Sequence, residues 1–156
     1  MKIINYNGDI FNSTADIICH QVNSFGQMGS GIAKQVKEKY PRVFEKYYES
    51  FRNNKLDLGT CQVVATTEER KQFIANLCGQ KYFGSNGRFT NYEGIYVALE
   101  KLASYCERHN TEKVAFPYHM SCDRGGGSWS VIMAMIEDVF KNNDNITIEI
   151  WKYEGK

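Results

Sequence analysis

The sequence predicts an α/β fold, a mixed sheet of about six strands covered on both faces by helices. Three observations carry that prediction. Short apolar runs alternate with longer stretches of helical periodicity along the whole chain. Two neighbouring runs, 61–65 and 73–77, are joined by the polar turn Thr66-Thr67-Glu68-Glu69-Arg70-Lys71, which makes that pair a hairpin and the sheet mixed. Two glycine-rich turns, Gly29-Ser30-Gly31 and Gly125-Gly126-Gly127, each separate a strand-like run from a helix-like one.

Residues 2–6 form the first strand, short and apolar-rich. Ala15-Asp16-Ile17-Ile18-Cys19 is the second, with the consecutive apolar residues of a buried strand. The spacing of Ile32, Ala33 and Val36 predicts a helix over 31–40. Pro41 suits the first turn of a further helix, whose Val43, Phe44, Tyr47, Tyr48 and Phe51 share one face. After the hairpin, 81–89 is a loop rich in glycine, asparagine and aromatics. Thr90-Asn91-Tyr92-Glu93 reads as a capping box with Thr90 at the cap. The helix it opens buries Ile95, Leu99, Leu102 and Cys106. Val114 to Pro117 is a strand that feeds the second glycine turn, and the next helix carries Ile132, Met135, Ile136, Val139 and Phe140. Residues 146–151 form the closing strand. With no repeat, low-complexity stretch or linker, a single domain over 1–156 is expected.

Composition narrows the function classes. A chain of 156 residues can enclose one hydrophobic core, and an apolar content of 42% is ordinary for a globular protein. No run is apolar and long enough to span a bilayer, and the first residues lack the apolar stretch of a signal peptide. A cytoplasmic protein with no membrane partner is expected. A net charge of +1 from scattered Lys and Arg gives no broad nucleic-acid footprint. The cysteines Cys19, Cys61, Cys78, Cys106 and Cys122 are odd in number and contain no CxxC pair. That usage predicts a reducing compartment, no disulfide framework and no zinc site; no cofactor is expected either.

Glycine lets backbone N–H groups approach a ligand closely, and a helix N-terminus adds unpaired donors and partial positive charge. Two such turns can cradle the two phosphates of one diphosphate. Neither turn has the spacing of a P-loop or of GxGxxG, so backbone amides would hold the phosphate without a P-loop lysine. The polar block His20-Gln21-Val22-Asn23-Ser24 follows the second strand and faces the same cleft, or else caps the strand end. Asp9, after Gly8, either caps its own turn or accepts from the amine of a nucleobase.

These segments resemble the macrodomains, which bind ADP-ribose. Gly8-Asp9-Ile10-Phe11 is similar to the family's GDI element. Asp16-Ile17-Ile18-Cys19-His20-Gln21-Val22-Asn23 is similar to its DAIVNAAN strand. Met28-Gly29-Ser30-Gly31-Ile32-Ala33 resembles the first phosphate loop, GGGVA. Ser121 to Trp129 resembles the second loop, GCGLAGGDW, of a branch that contains ADP-ribosyl hydrolases and an ADP-ribose 1''-phosphate phosphatase.

The resemblance covers essentially the whole chain and implies a three-layer α/β/α macrodomain. It also implies roles. Asp9 would accept from adenine, with the Ile10 backbone nearby, and Trp151 would cover the ring. Asn23 would contact the distal ribose. Gly29, Ser30, Gly31 and Ile32 would donate amides to the diphosphate, as would Gly125, Gly126 and Gly127 in the loop that begins at Ser121 and Cys122. Some relatives use a lysine after the fourth strand, where this chain has Gly79 or Gln80, with Lys81 displaced. A water-mediated reaction is therefore expected, with Asn23 orienting the ribose and Asp123 or His20 moving the proton. The implied partner is ADP-ribose or an ADP-ribosylated substrate, nucleic acid entering only as an ADP-ribosylated acceptor. A non-catalytic ADP-ribose reader is the alternative, ahead of an RNA or poly(ADP-ribose) binder.

Overall fold

The computed structural model describes residues 1–82, 89–123 and 125–154. The strands are β1 (Lys2–Asn7), β2 (Ile17–Asn23), β3 (Cys61–Ala65), β4 (Phe73–Gln80), β5 (Lys113–Pro117) and β6 (Thr147–Lys152). The helices are α1 (Gly31–Lys39), α2 (Pro41–Arg52), α3 (Tyr92–Arg108) and α4 (Trp129–Phe140). They form one sheet in the order β1-β6-β5-β2-β4-β3, in which the β3–β4 hairpin is antiparallel and the other strand pairs among the described residues are parallel. The three-layer α/β/α architecture read from the sequence is the one observed.

Successive strand residues face opposite sides, so the buried β2 contributes to two cores. Ile17 and Cys19 pack with Ile95, Leu99 and Leu102 of α3 and Ile132 and Ile136 of α4. Ile18 and Val22 pack with Val36 of α1 and with Val43 and Tyr47 of α2. Pro41 stands in the first turn of α2, as its fixed φ favours. The apolar face of α2 is narrower than the sequence suggests, because Tyr48 is exposed.

Two local readings are corrected. β2 does not stop at Cys19: it runs on through His20, Gln21, Val22 and Asn23, so the polar block is part of the sheet. The cap of α3 is Asn91, whose Oδ1 accepts from the N–H of Gly94 at 2.8 Å. Thr90 is drawn into a tertiary bond instead, its Oγ1 donating to the carbonyl of Ser121 at 2.8 Å. The predicted 81–89 loop lies mostly outside the described residues, at 83–88.

One topological fact positions the site. From β2 the chain crosses to the β4 side of the sheet by way of α1 and α2, and from β5 it crosses to the β6 side by way of α4. The adjacent β2 and β5 are thus a switch point, where the carboxyl ends of parallel strands leave a crevice.

Candidate functional site

A cavity of about 440 Å³ opens at this switch point. Its wall is His20 to Asn23 from β2, Gln27 and Ser30 to Ala33 around the start of α1, Gln80 from β4, and Pro117 to Asp123 with Gly125 from the segment after β5. A second cavity of about 580 Å³ shares Ile32, Pro117, Tyr118, His119 and Asp123 with the first and extends to Asp9, Ile10 and Trp151. The two form one cleft across the ends of β6, β5, β2 and β4.

At the β6 end, Trp151 stacks on Tyr6 with centroids 4.6 Å apart and planes inclined by 13°. Its Nε1 donates to Glu149 Oε1 at 2.8 Å, and the buried Glu149 also accepts from Ser13 Oγ at 2.6 Å. The indole is therefore a fixed wall. Asp9 uses Oδ1 to cap the short 3-10 turn Ile10–Asn12, accepting from Phe11 N at 2.9 Å, which leaves its second oxygen beside the cavity.

The two glycine turns differ. Ser30 is the N-cap of α1 and makes no side-chain cap bond, and the first helical bond recorded there is Lys34 N to Ser30 O at 3.2 Å. The amides of Gly31, Ile32 and Ala33 thus have no intrahelical acceptor and stand on the cavity wall. Gly31 holds φ +57°, a left-handed conformation that glycine adopts without strain. Gly29 is not on that wall. In the second turn only Gly125 is. The Gly127 N–H is spent on the carbonyl of Ser121 at 2.9 Å, which corrects the expectation that it donates to phosphate. Gly126, at φ +73°, shapes the turn from outside the cleft. Among the described residues, no lysine or arginine lines the first cavity, so the groups there that favour an anion are amides and a helix dipole, with Asp123 as an acidic side chain on the same wall.

Asn23 is committed to the protein. Its Oδ1 accepts from Phe25 N at 3.0 Å, Gln27 N at 3.3 Å and Tyr47 Oη at 2.9 Å, and its Nδ2 donates to Gln27 O at 2.9 Å. One amide hydrogen is left for a ligand. Asn23 is thus first the organiser of the 24–28 loop. Gln21, given no role of its own from the sequence, is a second node: Nε2 donates to Gln80 Oε1 at 2.8 Å and Thr90 Oγ1 at 3.0 Å, and Oε1 accepts from Ser121 Oγ at 2.6 Å. It ties β2 to the end of β4 and to the second loop.

His20 is 2% exposed and its Nε2 lies 2.6 Å from Asn76 Oδ1. Burial pushes its pKa down to about 4, against an upward pull from the Asn76 hydrogen bond. A histidine that stays neutral at pH 7 is a weak proton carrier, which argues against the acid–base role expected for it. A stability effect follows. An unfolded histidine titrates near 6.5. Between pH 6.5 and about pH 4 the unfolded chain takes up a proton that native His20 refuses, so stability is lost as pH falls through this window. The loss reaches about 3 kcal/mol near pH 4. Urea midpoints recorded from pH 7 to pH 4 should fall more steeply for the wild type than for His20→Phe; parallel curves would remove His20 as the source.

The segment after β5 forms two consecutive tight turns, Met120 N to Pro117 O at 3.0 Å and Cys122 N to His119 O at 2.9 Å. His119 and Ser121 take φ +65° and +72° there, strained for non-glycine residues and held by surrounding bonds. Tyr118 and His119 stack with centroids 4.0 Å apart, and Asp123 Oδ1 stands 3.5 Å from His119 Nδ1. The Asp123 side chain is 80% exposed at the seam shared by both cavities. The Cys122 thiol is pushed up to about 11 by burial and donates to the Met120 carbonyl at 3.3 Å, which leaves it no nucleophile. Lys81 is exposed away from the wall, its Nζ 5.5 Å from the Tyr82 ring centroid. Tyr118 and His119 escaped the sequence reading; the signal available was a polar aromatic pair directly after a buried strand.

Residues 19–136 match the family described as Macro domain. A DNA ADP-ribosyl glycohydrolase of Mycobacterium tuberculosis is 24% identical over 149 residues, covering 95% of this chain and 41% of that protein. A second, from Thermus aquaticus, is 21% identical over 148 residues, covering 94% and 39%. The chain thus spans about two-fifths of the length of the curated relatives it matches. Among solved structures, the macrodomain of Mycobacterium tuberculosis DarG has a TM-score of 0.85 at 24% identity over 96% of each chain. Thermosipho africanus DarTG in complex with ADP-ribose has a TM-score of 0.82 at 19% identity, covering 97% of this chain and 41% of that one.

Proposed function

We propose, from the premise that this chain belongs to the Macro domain family, that its cleft binds ADP-ribose and that the protein hydrolyses the bond joining ADP-ribose to an acceptor. The observation that carries this reading is the graded chemistry of one continuous cleft. A fixed indole and a carboxylate oxygen stand at the β6 end, unpaired helix amides in the middle, and a polar pocket of Asn23, Gln80 and Ser121 at the other. Adenine, diphosphate and distal ribose match these three regions in that order.

Hydrolysis then falls to a water at the far ribose. Asp123 is the carboxylate on the shared wall, and a carboxylate can take a proton from an attacking water. The placement of Lys81 outside the wall supports water over a lysine adduct. The curated relatives act on DNA by name, which puts ADP-ribosylated DNA among the acceptors to test beside ADP-ribosylated protein and ADP-ribose 1''-phosphate.

The test combines calorimetry with turnover. ADP-ribose should raise the melting temperature by mass action, and one of the three substrates should release ADP-ribose. No heat and no thermal shift at millimolar ADP-ribose would sink the binding reading. Binding without turnover of any substrate would replace the hydrolase with a reader.

A further inference from the structure

The proton on His20 is fixed from a distance. Gln62 Nε2 lies 3.1 Å from the carbonyl of Lys46, and a carbonyl only accepts. Gln62 Oε1 is therefore the acceptor for Asn76 Nδ2 at 3.0 Å. That turns Asn76 Oδ1 toward His20 Nε2 at 2.6 Å, so Nε2 carries the hydrogen. His20 pairs with Asn76, and Asn76 with Gln62, across β2, β4 and β3. In the neutral ring Nδ1 is then a bare acceptor. It is buried and has no hydrogen-bond partner, although the residue lines the cleft. Buried polar atoms in native proteins are nearly always satisfied, and an orphan beside a cavity needs a donor, a water in the free protein and a ligand group once the cleft is filled.

We propose that Nδ1 of His20 accepts a hydrogen bond from a hydroxyl of the sugar farthest from adenine in ADP-ribose; this rests on the reading of the cleft given above. The diphosphate has no hydrogen to give at neutral pH, and its oxygens repel a bare lone pair. The adenine end is excluded because His20 shares its cavity with Asn23 and Gln80, and not with Asp9 or Trp151. Hydroxyls of the far ribose are the donors that remain. Asn76 is a positioning residue: it acts on the ligand by deciding which nitrogen of His20 is protonated.

The experiment is nitrogen-15 NMR of the imidazoles in the wild-type protein, titrated in parallel with ADP-ribose and with ADP, which lacks the far sugar. In the free protein Nε2 should resonate as a protonated nitrogen and Nδ1 as an unprotonated one. ADP-ribose should move the Nδ1 resonance in the direction of an accepted hydrogen bond, and ADP should leave it in place. The affinity of His20→Phe for ADP-ribose should fall about tenfold, with ADP affinity unchanged. The wild-type spectrum decides the matter even where that variant does not fold. Calorimetric binding of ADP-ribose without movement of Nδ1 overturns the proposal and leaves the ADP-ribose reading standing. Movement with ADP as well overturns the assignment to the far sugar. Binding of neither ligand overturns both.

Discussion

Replacing Asp123 with asparagine should lower kcat by roughly 10²–10⁴-fold on whichever ADP-ribosylated substrate turns over, and leave KM nearly unchanged. Asparagine keeps the shape and polarity of the side chain and loses the ability to take a proton. Asp123 is suited to the role by position: it lines the same cavity as Asn23, Gln80 and Ser121, and its side chain is 80% exposed, so water reaches it. His119, 3.5 Å away at Nδ1, can steady the carboxylate, and the two left-handed residues His119 and Ser121 aim the segment that carries it. Lys81→Ala, which removes a side chain lying off the wall, should retain activity. Steady-state kinetics of the three proteins on one substrate decide the matter. Full activity in Asp123→Asn would move the chemistry elsewhere, and loss in Lys81→Ala together with a borohydride-trapped adduct would restore a lysine mechanism.

The fold was legible because its driving force is local. Every strand but β2 begins and ends within a few residues of an apolar run, and every helix carries its periodicity. β2 misled for a physical reason. His20, Gln21 and Asn23 look like a loop, since polar residues inside a sheet are costly unless paired. Their partners are Asn76, Gln80 and the 24–28 backbone, distant in sequence or folded back by the strand's own end. The Thr90 capping pattern failed in the same way, because a tertiary acceptor, the Ser121 carbonyl, outcompeted the local one. The resemblance to the macrodomains implied Trp151 and Asp9 as adenine contacts, and both stand beside the cleft. What no local pattern encodes is which amides remain free: Gly127 looks like a donor until the fold spends its hydrogen on Ser121.

That asymmetry between the two glycine turns sets the last expected result. Gly125→Ala should destabilise the protein by about 2–5 kcal/mol, which for a chain of this size is a drop of roughly 10 °C in Tm, and ADP-ribose binding should be lost with it. A Cβ at Gly125 would collide with Thr90 Oγ1 and stand 2.7 Å from the Ser121 carbonyl and 3.1 Å from Gln21 Nε2. These neighbours cannot step aside singly, because Thr90 donates to Ser121, Gln21 donates to Thr90, and Ser121 donates to Gln21. The Gly125 carbonyl is held as well, accepting from Phe89 N at 2.7 Å and Thr90 N at 2.9 Å. Any shift that admits the methyl group breaks at least one of these buried bonds and distorts the polar end of the cleft. Gly29→Ala is the control, since nothing lies within 4 Å of its Cβ, and it should change stability by no more than about 0.5 kcal/mol. Thermal melts with and without ADP-ribose on both variants make the comparison. Equal and mild effects would show that the Gln21–Thr90–Ser121 network is not the rigid support of the second loop.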